Sequence, residues 1–207
     1  MRIFIGIDLD DAIRAKIARF LEGVSGFAPE ARWVRPESLH ITLKFIGEQK
    51  PEQVAAISER LRNVEGSPME IRLAGTGFFP TPKAPRVFWI GIHAGPELAR
   101  LAGDIDDALG ELGVAREERA FSPHLTLARA GGQSKRSSGD PKQHKGDRHN
   151  SVFTVLQKRL VKMGDLDFGT MAPDKFILYQ SQLSPGGSKY TKLERFPLSG
   201  GGARSNA

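Results

Sequence analysis

The eight residues SLHITLKF, 38–45, are written a second time as SPHLTLAR, 122–129. Ser38, His40, Thr42 and Leu43 meet Ser122, His124, Thr126 and Leu127 at one displacement of 84 positions. Arg2, Ile3 and Phe4 match Arg86, Val87 and Phe88 at the same displacement. A fixed spacing carried across loops of unrelated sequence is the mark of an internal duplication. It constrains the chain to two similar lobes related by a pseudo-twofold axis, and such an axis brings His40 and His124 face to face.

The patterns between these anchors repeat in the same order. RIFIGI, 2–7, reads as a strand, and Ile13, Ile17, Phe20, Leu21 and Val24 follow at helical spacing, with Asp10 as N-cap and Gly23 near the end. A loop through Pro29 and Pro36 leads to the strand LHITLKFIG, and Pro51 opens a second helix with Val54, Ile57 and Leu61 on one face. After MEIRLAG, the proline-rich FFPTPKAPR predicts the seam between the halves. RVFWIGIH, 86–93, is the next strand, and from Pro96 an apolar stripe of Leu98, Leu101, Ile105, Leu109 and Leu112 runs to Gly113. The His124 strand follows.

SVFTVLQKRLVKM and KFILYQSQL read as further strands, with SPGGSKY turning into a last strand, YTKLERFPL. No helix start follows its glycine pair, so it is not a phosphate loop. The expected fold is α+β: two pseudo-twofold-related lobes whose antiparallel sheets face a central cleft, with helices packed outside. Residues 1–198 form a single bilobal domain whose lobes share chain segments. The segment 131–150 lacks apolar periodicity and is expected to be a mobile basic loop; the tail 199–207, SGGGARSNA, is expected to be disordered.

Composition narrows the chemistry. The chain has no cysteine, which excludes disulfides, thiolate metal sites and a cysteine nucleophile. Its net charge of +6 suits a polyanionic partner, although five Lys/Arg against two Asp place +3 of it between Gly131 and Asn150, where a solvated surface explains it equally. No apolar run approaches the roughly 20 residues that cross a bilayer, and MRIFIGIDLDD meets acids where a signal peptide stays apolar. A soluble, cytoplasmic protein with no membrane partner is expected, a monomer by default.

In an extended strand alternate side chains share a face, so His40, Thr42 and Lys44 lie together while Ile41, Leu43 and Phe45 take the other side. His124 pairs in the same way with Thr126 over Leu125 and Leu127. Each copy supplies one imidazole, with no His-x-His, carboxylate pair or cysteine beside it, so no metal site is expected. Ser38 and Ser122 shape the turn into each strand, since neither nucleophile elbow nor acidic orienter accompanies them. Two imidazoles titrating near neutrality suit one base and one acid acting in a single step, and the flanking hydroxyls suit an oxyanion. In-line displacement at phosphorus asks for this arrangement and requires neither metal nor cofactor.

On the paired motifs, together with MRIFIGIDL, PRVFWIGI and SQLSPGGSKY, the chain resembles the 2H phosphoesterase superfamily. Within it, the chain is most similar to the RNA 2',3'-cyclic phosphodiesterases, also called 2'-5' RNA ligases. The resemblance implies hydrolysis of RNA-terminal 2',3'-cyclic phosphate to 2'-phosphate, with reversible 2'-5' ligation as an accompanying activity. It implies His40 as proton donor to the leaving 3' oxygen, His124 as proton acceptor from water, and Thr42 and Thr126 on the phosphate oxygens. Spacing alone leaves the two histidine roles interchangeable.

Candidate substrate-binding residues are Lys44, Arg129 and Tyr190. Strict alternation places Arg129 opposite His124, and only a bulge or the strand's end brings it to the phosphate. His93, without a Thr partner, reads as structural or exposed, and His144 and His149 as solvated. The implied partners are RNA ends with a 2',3'-cyclic phosphate, tRNA fragments among them. The alternatives are another 2H activity, on 2'-5' linkages or cyclic nucleotides, and a non-catalytic module that holds RNA ends.

Overall fold

The computed structural model describes residues 1–131, 152–184 and 187–198. In chain order the elements are β1 (Arg2–Asp8), α1 (Asp11–Val24), β2 (Ala31–Trp33), β3 (His40–Glu48), α2 (Pro51–Leu61), β4 (Ile71–Thr81), β5 (Ala84–Ala94), α3 (Pro96–Gly110), β6 (His124–Ala130), α4 (Thr154–Met163), β7 (Asp167–Met171), β8 (Lys175–Ser184) and β9 (Gly187–Pro197). They build the α+β architecture expected: two antiparallel sheets, ordered β3-β1-β8-β9 and β2-β6-β5-β4-β7. β1 lies beside β3 as β5 lies beside β6, and each sheet takes strands from both ends of the chain.

Helix starts follow the capping rules. Asp10 caps α1 by accepting the Ile13 amide at 3.0 Å, a contact that contributes about 1 kcal/mol, and Pro51 and Pro96 stand in the first turns of α2 and α3. α1 buries Ile13, Ile17, Leu21 and Val24, and its Phe20 meets Phe168 of β7 edge-on at 5.1 Å. α3 buries Leu98, Leu101, Ile105 and Leu109 and packs on β3. The helix after β1 thus reaches the other sheet, and the helix after β5 reaches the first. One continuous core includes Ile3, Ile5 and Ile7 of β1 together with Phe88 and Ile90 of β5.

Three expectations are corrected. FFPTPKAPR is no seam: it is the tip of the β4–β5 hairpin, inside one sheet, where Pro80 pairs with Pro85 at an irregular point of the ladder and no amide hydrogen is needed. SVFTVLQKRLVKM holds helix α4. Leu156 and Leu160, four apart, are buried, whereas Val155 and Val161 are 58% and 85% exposed, so the helical period overrides the β-branched composition.

The third correction concerns the opening strands, which correspond at 83 positions and not at 84. Ile5 and Phe88 hold equivalent places in the ladders, as do Ile7 and Ile90. Strand parity explains this: a shift of 84 would equate Phe88 with Phe4 and turn it to the cleft, whereas Phe88 is fully buried on the core side.

Candidate active site

Directly opposed residues in a ladder put their side chains on one face. Along β1 and β3 the pairs are Phe4 with Phe45, Gly6 with Thr42 and Asp8 with His40. Along β5 and β6 they are Val87 with Arg129, Trp89 with Thr126 and Gly91 with His124. These six pairs are the cleft faces of the two sheets. Each motif strand carries an extra residue, Leu43 in β3 and Leu127 in β6, which is left without a partner between ladder pairs. Beyond the bulge the alternation inverts.

The inversion decides three assignments. Lys44 is turned to the core: its side chain is 1% exposed, and its ammonium is bonded to the Asp106 carboxylate and, at 2.8 Å, to the Ala115 carbonyl. Its expected place beside His40 is therefore overturned, because the bulge at Leu43 breaks the alternation on which it rested. Phe45, expected on the core side, is instead 51% exposed on the His40 face. Arg129 is brought to the His124 face by the bulge at Leu127. Tyr190, on β9, stands edge-on to the His40 ring at 5.0 Å.

His40, Thr42, Phe45, Thr126, Arg129 and Tyr190 line one cavity. An adjoining groove shares Thr42, Phe45, Thr126 and Arg129 and adds His124 and Phe121. The two motifs therefore open on one continuous cleft. In both lobes the imidazole is oriented by the backbone. His40 Nδ1 lies 2.8 Å from the Ser38 carbonyl and His124 Nδ1 lies 2.9 Å from that of Ser122. A carbonyl only accepts, so each Nδ1 carries its hydrogen and each Nε2 is left to exchange a proton. The repeated serines contribute this carbonyl; for Ser38 it stands at the end of the 3-10 turn Pro36–Ser38.

The surroundings of the two rings differ. Phe4 packs on His40 with centroids 4.6 Å apart, whereas His124 meets Phe79 edge-on at 4.9 Å. Burial pulls His40 down to about 4; the Ser38 carbonyl and the Asp8 carboxylate act upward against it, and Arg129 and Arg14 act with it. Burial of Asp8 would by itself push its carboxyl up, but bonds to Lys192 and Arg14 and their charges hold it below the usual carboxylate range. Arg14 also donates to the carbonyls of Leu9, Pro36 and Leu39, binding the end of β1 to the turn that carries Ser38.

Sequence reasoning missed Asp8, Arg14 and Phe45. Asp8 is detectable only once β1 is paired with β3, and Phe45 only once the bulge is known. His93 is exposed and bonds the Ala74 carbonyl at 3.2 Å. His144 and His149, nearly all of the basic segment 131–150 and the tail 199–207 lie outside the described residues. Among the described residues no three His, Asp or Glu side chains gather as metal ligands, and no helix is long and apolar enough to cross a membrane.

The family model described as LigT like phosphoesterase matches the chain twice, over residues 7–89 and 90–145. The two matches begin 83 positions apart, as the paired strands do. The RNA 2',3'-cyclic phosphodiesterase of Archaeoglobus fulgidus is 38% identical over 196 residues, covering 95% of this chain and 99% of that protein. The crystal structure of TT0787 of Thermus thermophilus aligns with a TM-score of 0.70 at 29% identity, covering 96% of this chain and 98% of that one. That of Escherichia coli LigT complexed with 3'-AMP aligns with a TM-score of 0.70 at 26% identity, covering 95% and 97%. Matched over most of its length by the family model, with both His-x-Thr strands inside the matched segments, the chain belongs to the LigT like phosphoesterases.

Proposed function

We propose that the protein hydrolyses RNA-terminal 2',3'-cyclic phosphate to a 2'-phosphate, without a metal, as a cytoplasmic monomer. The observation that carries this reading is the pair of imidazoles whose Nδ1 hydrogens are both committed to serine carbonyls, leaving two Nε2 atoms for one cleft. The activity is the one named for the Archaeoglobus fulgidus relative.

His124 takes the proton of the attacking water while His40 gives one to the leaving 3' oxygen, and the two exchange states over the turnover. Thr42 and Thr126, which line the same cavity, donate to the non-bridging oxygens, and Arg129 balances the charge that develops there. Aromatic rings at Phe45 and Tyr190 flank this position and suit the nucleoside. His40 is neutral near pH 7 in the free protein because burial pulls it down, so it takes up its proton when the substrate's phosphate anion offsets Arg129 and adds its charge to that of Asp8 against the burial.

The test is hydrolysis of an RNA oligonucleotide ending in 2',3'-cyclic phosphate, in excess EDTA, with the product isomer identified. A 2'-phosphate formed by the wild type and by neither His40→Ala nor His124→Ala is expected. RNA bound equally by all three proteins, with no ester consumed, would replace this reading by an end-binding module. Turnover of 2'-5' linkages or cyclic nucleotides alone would move it to another activity of the family.

A further inference from the structure

Each lobe sets a threonine two residues after its histidine and a serine carbonyl against its Nδ1, but directly across the strand the lobes differ: Asp8 faces His40, and Gly91 faces His124. The difference is built in. A Cβ at Gly91 would lie 2.6 Å from the Ala74 carbonyl oxygen, so the second lobe has no room for a side chain at that place. Asp8 is held from three sides: its Oδ1 accepts the Leu9 amide at 3.1 Å and an Arg14 guanidinium bond, and its Oδ2 accepts Lys192. Arg14 in turn bonds the Pro36 and Leu39 carbonyls on either side of Ser38, whose own carbonyl orients His40.

We propose that Asp8, clamped by Arg14, is a positioning residue that commits His40 to the proton-donating role and so breaks the equivalence of the two histidines. It rests on the reading of His40 and His124 as acid and base. The charged groups around His40 are Asp8 of β1, Arg14 of α1, Arg129 of β6 and Lys192 of β9, with the phenols of Tyr179 and Tyr190 on β8 and β9. The Asp8 carboxylate adds to the Ser38 carbonyl in favouring an imidazolium at His40, and since His124 has its own serine carbonyl, Asp8 is what distinguishes the two rings. The substrate phosphate offsets Arg129 and adds its own negative charge to that of Asp8, against the burial that favours the neutral ring. His124 has no such neighbour across its strand and is left as the base.

The test substitutes Asp8→Asn, which keeps an oxygen for the Leu9 amide and Arg14 and removes the charge together with the Lys192 bond. With RNA 2',3'-cyclic phosphate, kcat above neutrality falls about tenfold, KM stays within about twofold, and the pH optimum moves to lower pH, because an acid weakened in its charged form is protonated less often. Asp8→Glu restores most of the rate. NMR titration of the His40 imidazole in the full chain, with inorganic phosphate present, reads the same effect without turnover: the midpoint falls in Asp8→Asn and rises in Lys192→Met, which frees Asp8 from its competing cation. Unchanged His40 midpoints in both variants would overturn the proposal even if the wild type were inactive on the RNA. With an active wild type, an unchanged pH profile in Asp8→Asn would overturn it too.

Discussion

Leu43 and Leu127, 84 positions apart, are the same extra residue in two ladders, and each turns the side chain two positions further on into the cleft: Phe45 in one lobe, Arg129 in the other. The duplication thus preserves a backbone irregularity while the side chains it presents have diverged. One lobe offers a ring and the other a cation at equivalent places.

Arg129 is expected to matter to the rate and hardly to the fold, because it is exposed and its strand is anchored by Leu125, Leu127 and Ala128, all fully buried. Arg129→Ala should lower kcat/KM by about 100-fold, the scale for losing one donor aimed at developing charge. Arg129→Lys should recover part of it, since an ammonium keeps the charge and loses the planar fork. Steady-state kinetics beside thermal melts separate the two effects.

The histidines should behave as one unit. His40→Ala or His124→Ala alone removes a proton transfer that the other cannot complete, so the double variant is expected to be little slower than either single one. Losses that multiplied cleanly would show that the two rings do not share a step. Thr42→Ala and Thr126→Ala are expected to lower kcat with KM less affected, because both hydroxyls serve charge that grows in the transition state.

How much of this was legible beforehand follows from what a period of two can carry. The paired strands, the helices at Asp11, Pro51 and Pro96, and the convergence of His40, Thr42, Thr126 and His124 were readable because identical spacing and regular apolar rhythm specify them. Lys44 and Phe45 were misplaced because a bulge leaves no mark in alternation: Leu43 is as apolar as any core residue. The 84-residue match of Phe4 with Phe88 looked as sound as that of His40 with His124, and only strand pairing shows that it puts one ring on the wrong face. Helix α4 is hidden in the sequence because Val152, Phe153 and Val155 give its start a strand-like composition, and only the Leu156–Leu160 spacing carries the helical period.

Lys44 now has a structural assignment with a stability consequence. Asp106→Ala would leave a nearly inaccessible ammonium with only the Ala115 carbonyl, at a cost of about 3–5 kcal/mol. Lys44→Met removes the buried charge itself, and the Asp106 side chain, 17% exposed, keeps the Glu117 amide at 3.2 Å, so a loss of only about 1 kcal/mol is expected. Urea unfolding of the two variants checks the order, and equal losses would contradict the assignment.

Stability should also fall on mild acidification, through His40. Its folded value, about 4, lies below the ordinary 6.5 because burial disfavours the charged ring. Between these two values the unfolded chain binds a proton that the folded one refuses, so stability rises with pH across that window. The contribution is complete above the unfolded value and is lost as pH falls from there toward the folded one. It amounts to roughly 3 kcal/mol in all, with about 2 kcal/mol gone at pH 5. Asp8 adds to the loss only at lower pH, because its folded value is held below the usual 3.8 and its stabilisation persists until protons begin to bind the unfolded carboxylate. Urea midpoints of the wild type and of His40→Gln at pH 7 and pH 5 isolate the imidazole: the wild type should weaken between the two and the variant should change much less. A wild type equally stable at both would mean that the ring is charged or solvated in the folded protein.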